Sequence, residues 1–292
     1  MTPGPDLSLA RRAGRWLRLA SCAAAASVTL PFCRYTRGAD IPGAAQDPDG
    51  SLAARARADL TRWRESGNEL ARPLLILSGY RAPGTMGGSL AWRLRRLLGI
   101  RIAQVRLVSY PHRGDMDRIA RLVGSIARRE FPHASSFDVI GISMGGLIAR
   151  MLHSPAEATR TGTPPLVIDR LFTLATPHRG ARLAERIRPD RAATDMRAGS
   201  ARLQRLDQSP LPAVLRCYTI LNDITVGAPN TAPHGTTPIW VPGTPFFSHS
   251  LISEHPLIVL DLALNLAGLT PLLTPAPLPK ASLRAATAPD QG

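Results

Sequence analysis

Short apolar runs alternate with amphipathic segments through most of this chain. The apolar runs are rich in Val, Ile and Leu and are too short for typical helices, so they predict buried strands at 74–78, 104–109, 137–142, 168–174 and 214–221. Between and around them, apolar residues recur at helical spacing and predict helices at 51–65, 89–98, 116–129, 147–152 and 256–266. This alternation indicates an α/β fold: a mostly parallel sheet with helices on both faces.

Composition divides the chain into a leader, a body and a tail. Residues 1–50 form a basic leader that ends in a linker rich in Ala, Asp, Pro and Gly, and residues 51–270 carry every predicted strand and helix. The tail, 271–292, is rich in Pro and Ala and is predicted to be disordered. The body is expected to fold and work without residues 1–40, because no core motif lies there.

The leader supports two interpretations, and the sequence leaves both open. Residues 1–18 hold four arginines against the single acid Asp6, and a mildly apolar stretch with small residues at its centre follows at 19–32. This arrangement is typical of a secretory signal, but also of a basic, disordered N-terminus on a cytoplasmic protein. A leader that is basic and then apolar also suits contact with an anionic membrane surface. The location therefore stays open between cytoplasm and export.

Overall composition is that of an ordinary globular protein with a surplus of arginine. Of 292 residues, 44% are hydrophobic and 20% are charged, and the formal net charge is +15. The arginines are spread along the chain with few aromatics nearby, so the charge does not indicate nucleic-acid binding. The cysteines, Cys22, Cys33 and Cys217, fit neither a disulfide framework nor a metal site. The sequence implies no metal or organic cofactor, and it gives no oligomeric state.

The strand at 137–142 leads into the most informative motif, Gly-Ile-Ser-Met-Gly at 141–145. Strand, sharp turn and helix in this order around G-x-S-x-G predict a nucleophile elbow, with the hydroxyl of Ser143 exposed at the turn. Side chains at Gly141 or Gly145 would collide with the neighbouring strand or helix. The turn also directs the first backbone N–H groups of the helix toward the serine, where they stabilise negative charge.

A serine nucleophile needs an acid and a base, which follow it in the order Ser, Asp or Glu, His on α/β-hydrolase sheets. Asp223 fits the acid because it stands just after the fifth predicted strand, where a loop of Gly, Pro and Asn begins. Asp207, in a helix-like stretch, and Asp261, on the last helix, are rivals outside the expected loop. Asp190 and Asp195 come too early in the chain.

The base is expected in a loop between the acid and the last helix. His249 stands in the sequence FFSHSLIS shortly before that helix and is the favoured base. His255 belongs to the helix start and His234 to a loop of Pro, Gly and Thr, and both remain alternatives. His178 precedes the acid, so we expect it to be buried and hydrogen-bonded near the site without acting as the base.

An oxyanion hole requires two backbone N–H donors. Met144, the residue after the nucleophile, supplies the first, and the loop after the strand at 74–78 is expected to supply the second. Tyr80 is the best candidate in that loop, because Gly79 before it lets the backbone approach the substrate closely.

Four motifs give the body, roughly residues 70–268, a resemblance to the α/β-hydrolase superfamily and its small bacterial lipases and esterases. They are LILSGY at 75–80, VIGISMGGLIAR at 139–150, LFTLATPHRGARLA at 171–184, and the D-x-x-V of Asp223 to Val226 with HSLI at 249–252. The resemblance implies that Ser143 is the nucleophile, Asp223 the acid and His249 the base.

One residue departs from that family pattern. The family usually has His-Gly where this chain has Ser78 and Gly79. That histidine is structural in the family, so the departure affects the geometry of the oxyanion loop and leaves the triad intact. The segment 185–210, where the family would insert a cap over the site, is short, which predicts a minimal cap.

These features predict a serine hydrolase of the lipase or esterase kind, which cleaves carboxylic esters through an acyl-enzyme. An acyltransferase on the same triad and a non-catalytic binding protein of the same fold are the alternatives. The expected partner is a small-molecule ester or lipid without charge, because the body has no concentrated charge to bind an anionic group. The site walls are expected to be apolar and to include Met86, Leu147, Ile224, Phe246, Phe247 and Leu251.

Overall fold

The computed structural model describes residues 50–80, 82, 85–110, 115–186, 190–243 and 248–280, without the side chains of 85 and 86. Residues 1–49 of the leader therefore lie outside the described residues, and so do Phe246, Phe247 and residues 281–292 of the tail. The predictions for the leader stay predictions.

Within the described residues, six strands form one parallel sheet in the order β2-β1-β3-β4-β5-β6. Five of them match the strands predicted from the sequence. The sixth was not predicted, because it is only three residues long and follows a proline. The strands are β1 (Leu74–Leu77), β2 (Val105–Val108), β3 (Phe137–Ile142), β4 (Ile168–Leu174), β5 (Val214–Ile220) and β6 (Ile239–Val241).

Long helices stand where the apolar spacing predicts them, and shorter helices lie between them. The short ones lack enough turns to show a period in the sequence. None of the described helices is long and apolar enough to cross a bilayer. The α-helices are α1 (Ser51–Glu65), α2 (Thr85–Leu98), α3 (Met116–Glu130), α4 (Met144–His153), α5 (Pro155–Thr161), α6 (Arg182–Arg186), α7 (Arg191–Asp195), α8 (Ala201–Asp207), α9 (Ser248–Leu251) and α10 (Pro256–Leu266). The 3-10 turns are Ile102–Gln104, Ala228–Asn230 and Ile252–Glu254.

Both faces of the sheet are covered by helices, as predicted. Successive residues of a strand point to opposite faces, so Leu74 and Ile76 of β1 pack in one core with α1, α2 and α10. Leu75 and Leu77 pack in a second core with α3, α4 and α8. A strand that is buried on both faces reads as a continuous apolar run, which explains why the pattern of β1 predicts it well.

Part of the predicted disordered tail is ordered, and that prediction is wrong for residues 271–280. The backbone N–H groups of Leu272 and Leu273 donate to Oδ1 of the buried Asp261 at 2.6 and 2.8 Å. Further along, the carbonyl of Pro277 accepts from Trp240 Nε1 at 3.0 Å. Buried side chains of the body thus satisfy the backbone of this segment, which composition alone does not reveal.

Candidate active site

Ser143 occupies a sharp turn between β3 and α4. Its backbone has φ 52° and ψ −123°, in a region that L residues rarely adopt. Strand β4 and the loop after it hold the turn: the N–H of Ser143 donates to Leu174 O at 2.7 Å, and Thr176 Oγ1 donates to Ser143 O at 2.8 Å. The predicted strand, turn and helix therefore surround the serine.

Backbone strain concentrates at the same edge of the sheet. Ser143, Ala175 and Asn222 have positive φ, and no other described residue except glycine does. They follow the carboxyl ends of β3, β4 and β5, respectively. Strained backbone of this kind persists where the surrounding structure over-determines it, and it often marks a functional site.

Close packing around the turn explains its glycines. A Cβ on Gly141 would overlap the backbone of Gly146, and a Cβ on Gly145 would overlap the carbonyl oxygen of Leu77. These are the collisions that the sequence argument anticipates. A third glycine is equally constrained, because a Cβ on Gly146 would overlap the side chain of Thr176.

The three residues predicted to form a triad lie in one hydrogen-bonded chain. Ser143 Oγ is 3.1 Å from His249 Nε2, and His249 Nδ1 is 2.9 Å from Asp223 Oδ2. Asp223 is 2% exposed and Ser143 is 9% exposed, while the side chain of His249 is 19% exposed. The acid is thus shielded, and the serine and histidine lie close enough to solvent for a substrate to reach them.

The loop after β5 orients Asp223. Its Oδ1 accepts the backbone N–H groups of Thr225 at 2.8 Å and Val226 at 3.1 Å, which leaves Oδ2 for the histidine. An ionised carboxylate only accepts hydrogen bonds, so His249 Nδ1 donates and Nε2 is the acceptor that faces Ser143 Oγ. This tautomer is the one that a general base requires.

The rival carboxylates have structural partners instead. Asp261 is buried and accepts from Tyr218 Oη at 2.6 Å and from Arg216 Nη2 at 3.0 Å, besides the tail backbone. Asp207 lies 3.9 Å from Arg150 Nη2 at the end of α8. The hydrogen bonds of the described residues join neither of them to His249.

The rival histidines also lie elsewhere. His234 is exposed, and its Nε2 is 3.8 Å from Asp207 Oδ2. His255 is buried at the start of α10. Of the three histidines that follow the acid in the chain, His249 is the one whose ring bonds Ser143.

Burial of His255 predicts a loss of stability in mild acid. Burial lowers the pKa of His255 to about 4, whereas a histidine in an unfolded chain titrates near about 6.5. Because the folded pKa is the lower one, stability present above about pH 6.5 is lost progressively as the pH falls toward about 4. Urea unfolding at several pH values should show a smaller acid-induced loss for His255→Gln than for wild type. The exposed His234→Gln serves as control, and an unchanged pH slope in His255→Gln would refute the assignment.

His178 is fully buried and hydrogen-bonded, as predicted. Arg150 Nη1 lies 3.2 Å from His178 Nδ1 and only donates, so Nδ1 accepts and the proton sits on Nε2, 3.1 Å from Thr173 Oγ1. Burial, together with the nearby charges of Arg150 and Arg179, holds the pKa of His178 well below its usual value. His178 is therefore a neutral acceptor for a buried guanidinium, and the described hydrogen bonds do not connect it to Ser143.

His178→Ala should damage stability more than chemistry. The change leaves the buried guanidinium of Arg150 without one acceptor, which costs roughly 1–3 kcal/mol. We expect a lower melting temperature and a nearly unchanged kcat on a soluble ester, with the exposed His133→Ala as control. A soluble His178→Ala protein of normal melting temperature whose kcat falls as far as in a Ser143 variant would overturn this role.

The loop after β1 lies against the serine. A Cβ built on Gly79 would be 3.2 Å from Ser143 Cβ, so a larger residue there would crowd the nucleophile. Met144 is the first residue of α4, and its backbone N–H has no acceptor within the helix. The side chain of Tyr80 reaches away from the loop, where its hydroxyl donates to Asp190 Oδ2 at 2.7 Å. Both predicted oxyanion donors thus belong to the segments that frame Ser143.

Tyr110 is a buried contact of this loop that the sequence analysis missed. Its hydroxyl donates to the carbonyl oxygen of Ser78, and burial raises the pKa of Tyr110. Ser78, which stands where the resembled family has histidine, is itself buried, and no described residue bonds its hydroxyl. Tyr110, two positions after β2, therefore holds the end of β1 through a backbone carbonyl group.

The predicted apolar walls are present only in part. Ile224, beside the acid, is 52% exposed and Leu251 is half-buried, so both offer surface. Leu147 was wrongly predicted as a wall, because it is fully buried in the core with α3. The side chain of Met86 lies outside the described residues. The segment in which a minimal cap is predicted holds the short helices α6, α7 and α8, and each of them packs residues into the second core.

Comparisons with known proteins found matches among solved structures. No protein-family model matches the sequence, and neither does any curated protein. Among solved structures, the mature lipase BlEst2 of Bacillus licheniformis matches with a TM-score of 0.50 at 14% identity, over 67% of this chain and 91% of that one. Its propeptide form matches with a TM-score of 0.51 at 13% identity, over 71% and 52%. Phospholipase PlaB of Legionella pneumophila matches with a TM-score of 0.43 at 19% identity, over 52% of this chain and only 38% of the phospholipase.

The parallel sheet, its helical layers and the likeness to the Bacillus structures define the class. The protein has the α/β-hydrolase fold, as its motifs predict. At these identities the likeness concerns the fold alone.

Proposed function

We propose that this protein is a serine hydrolase that cleaves carboxylic esters through an acyl-enzyme. The observation that carries the proposal is the continuous chain from Ser143 Oγ through His249 to Asp223, with distances of 3.1 and 2.9 Å. A hydroxyl, an imidazole and a carboxylate in this order are the parts that acyl transfer by serine requires.

The geometry supports the following sequence of events. His249 Nε2 takes the proton of Ser143 Oγ as that oxygen attacks the ester carbonyl, and Asp223 stabilises the imidazolium that forms. The backbone N–H groups of Met144 and Tyr80 bind the oxyanion. His249 then protonates the departing alcohol, and it activates a water molecule that releases the acid from Ser143.

The surface beside the acid supports an apolar, uncharged substrate. Ile224 and Leu183 are large apolar residues with substantial exposure. They lie close together, because the N–H of Leu183 donates to Thr225 O at 2.9 Å. An apolar surface next to the triad favours an acyl chain, and the Bacillus protein of the same fold is a lipase.

A labelling and ester assay tests this function. A fluorophosphonate probe should label wild type and fail to label Ser143→Ala, and a panel of p-nitrophenyl esters of increasing chain length should be hydrolysed by wild type alone. An added alcohol that captures the acyl group in preference to water would identify an acyltransferase instead. A folded wild type that is neither labelled nor active on any ester would indicate a binding protein.

A further inference from the structure

A groove with a basic rim runs between α1, α2 and α10, in the helical layer on one face of the sheet. It encloses about 310 Å³, at the lower end of the range for ligand pockets. Its floor is formed by core residues such as Leu60, Val259 and Leu260. We call it the basic groove because its rim consists of Arg57, Arg64, Trp92, Arg93 and Arg96.

Three of the four arginines in this groove have no ion-pair partner among the residues that the structure describes. Arg93 forms an ion pair with Glu254 Oε2 at 2.7 Å. Arg57, Arg64 and Arg96 are exposed, and no carboxylate in the described part of the chain lies within 4.0 Å of them. Arg64 Nη1 instead faces the carbonyl oxygen of Arg96 at 3.4 Å, which draws α1 and α2 together at the rim. An anionic partner would therefore find three arginines that form no ion pair with a carboxylate among the described residues.

Among these arginines lies an exposed indole, that of Trp92. Trp92 is 45% exposed on the rim, and the guanidinium of Arg96 lies 5.5 Å from its ring centroid. Tryptophan prefers the headgroup level of a bilayer, where its apolar ring is buried and its N–H stays hydrated. An exposed indole among arginines suits a lipid interface better than a free anion, which offers nothing for the ring to contact.

We propose that the basic groove docks this protein on a membrane surface that carries anionic phospholipids. The arginines bind lipid phosphates while Trp92 enters the headgroup layer. The leader, with its own arginines and apolar stretch, joins the described structure at α1, the helix that carries Arg57 and Arg64. Docking through the body is independent of the proposed catalytic function.

Vesicle binding by the full chain tests the proposal. Wild type should sediment with vesicles of phosphatidylcholine containing about one third phosphatidylglycerol, and should stay in solution with pure phosphatidylcholine. Because each basic residue near an anionic surface contributes roughly fivefold, the triple variant R57Q/R64Q/R96Q should bind roughly 100-fold more weakly. High salt should weaken wild-type binding, since the attraction is screened.

A matched variant separates the groove from net charge. R118Q/R121Q/R129Q removes the same charge from exposed positions of α3, on the opposite helical layer, and should bind vesicles almost like wild type. Equal weakening in both triple variants, or unchanged binding in the groove variant, would overturn the proposal. Binding to RNA in preference to vesicles, with the same sensitivity to the groove variant, would also overturn it.

Quenching of tryptophan fluorescence provides a second readout if the triple variant fails to fold. Brominated phosphatidylglycerol vesicles should quench wild type more than W92F, because the indole at position 92 enters the headgroup layer. Equal quenching in both proteins would exclude that entry and the docking mode with it. Activity on a soluble ester should be the same in W92F and wild type, so a failure of docking is distinguishable from a failure of the hydrolase assignment.

Discussion

Ser143→Ala is expected to lower kcat on a short ester by roughly 10³-fold or more without lowering the melting temperature. The hydroxyl is the proposed nucleophile and lies 3.1 Å from the ring that would take its proton. His249→Ala and Asp223→Asn should each cause a loss of similar order. Because the three residues act as one unit, replacing all of them should cost little more than Ser143→Ala alone. Steady-state kinetics at equal concentrations of folded protein measures each effect.

Control variants show whether the base is assigned correctly. His234→Ala removes an exposed histidine that lies near Asp207, and it should keep wild-type kinetics. If His255→Ala abolished activity in a folded protein while His249→Ala did not, the base would be misassigned. If Ser143→Ala retained wild-type turnover, the serine mechanism itself would be wrong.

Glu157→Leu is expected to lower the free energy of unfolding by about 3–5 kcal/mol. The carboxylate of Glu157 is buried on α5 and accepts from Arg202, from Arg205 Nε at 2.7 Å and from Arg160 Nε at 2.9 Å. Arg202 is itself buried on α8 and also donates to Asp117 of α3 at 2.6 Å. Removing the glutamate leaves Arg202 buried with one carboxylate partner fewer, and a buried charge that loses a partner destabilises the folded state strongly. Chemical denaturation of both proteins measures the difference.

The matched control is Glu69→Leu. Glu69 and Arg101 form an ion pair in which both side chains are exposed, so removing Glu69 should lower the free energy of unfolding by less than about 1 kcal/mol. A Glu157→Leu protein as stable as Glu69→Leu would contradict the predicted role of the network.

Burial alone would raise the pKa of Glu157, but hydrogen bonds from Arg205 and Arg160 and the charge of Arg202 lower it. The stabilisation that Glu157 gives the folded protein is therefore present at neutral pH, and it is lost as the pH falls through the pKa of Glu157 in the folded state.

The sequence predicts the central strands and the residues around Ser143 better than it predicts the edge strand and the tail. Strand β3 is buried on both faces, so its position follows from an apolar run, and the glycines around Ser143 mark the turn that comes next. Asp223 and His249 could be predicted because loops after late strands meet at one edge of a parallel sheet. The position of the strand and turn depends on local pattern, whereas the choice of Asp223 and His249 also depends on the Ser, Asp, His order of α/β-hydrolases.

Features that depend on distant contacts were missed. Tyr110 is recognisable only once β2 lies beside β1, because its partner, Ser78, is 32 positions away. Strand β6 is three residues long, too short to carry a period, and it is stabilised by pairing with β5. The ordered part of the tail depends on Asp261, whose carboxylate accepts backbone groups that composition alone leaves unpartnered.

The hydrogen bond between Tyr80 and Asp190 joins the start of α7 to the loop that is proposed to bind the oxyanion. Asp190 begins α7 by accepting the N–H of Ala193 at 2.8 Å, and its other oxygen holds the hydroxyl of the residue proposed to bind the oxyanion. If a bulky ester displaced α7, it would therefore also displace that oxyanion donor. Selection by size would then act in the transition state: large esters would be bound but turned over slowly, and the difference would lie in kcat rather than in KM.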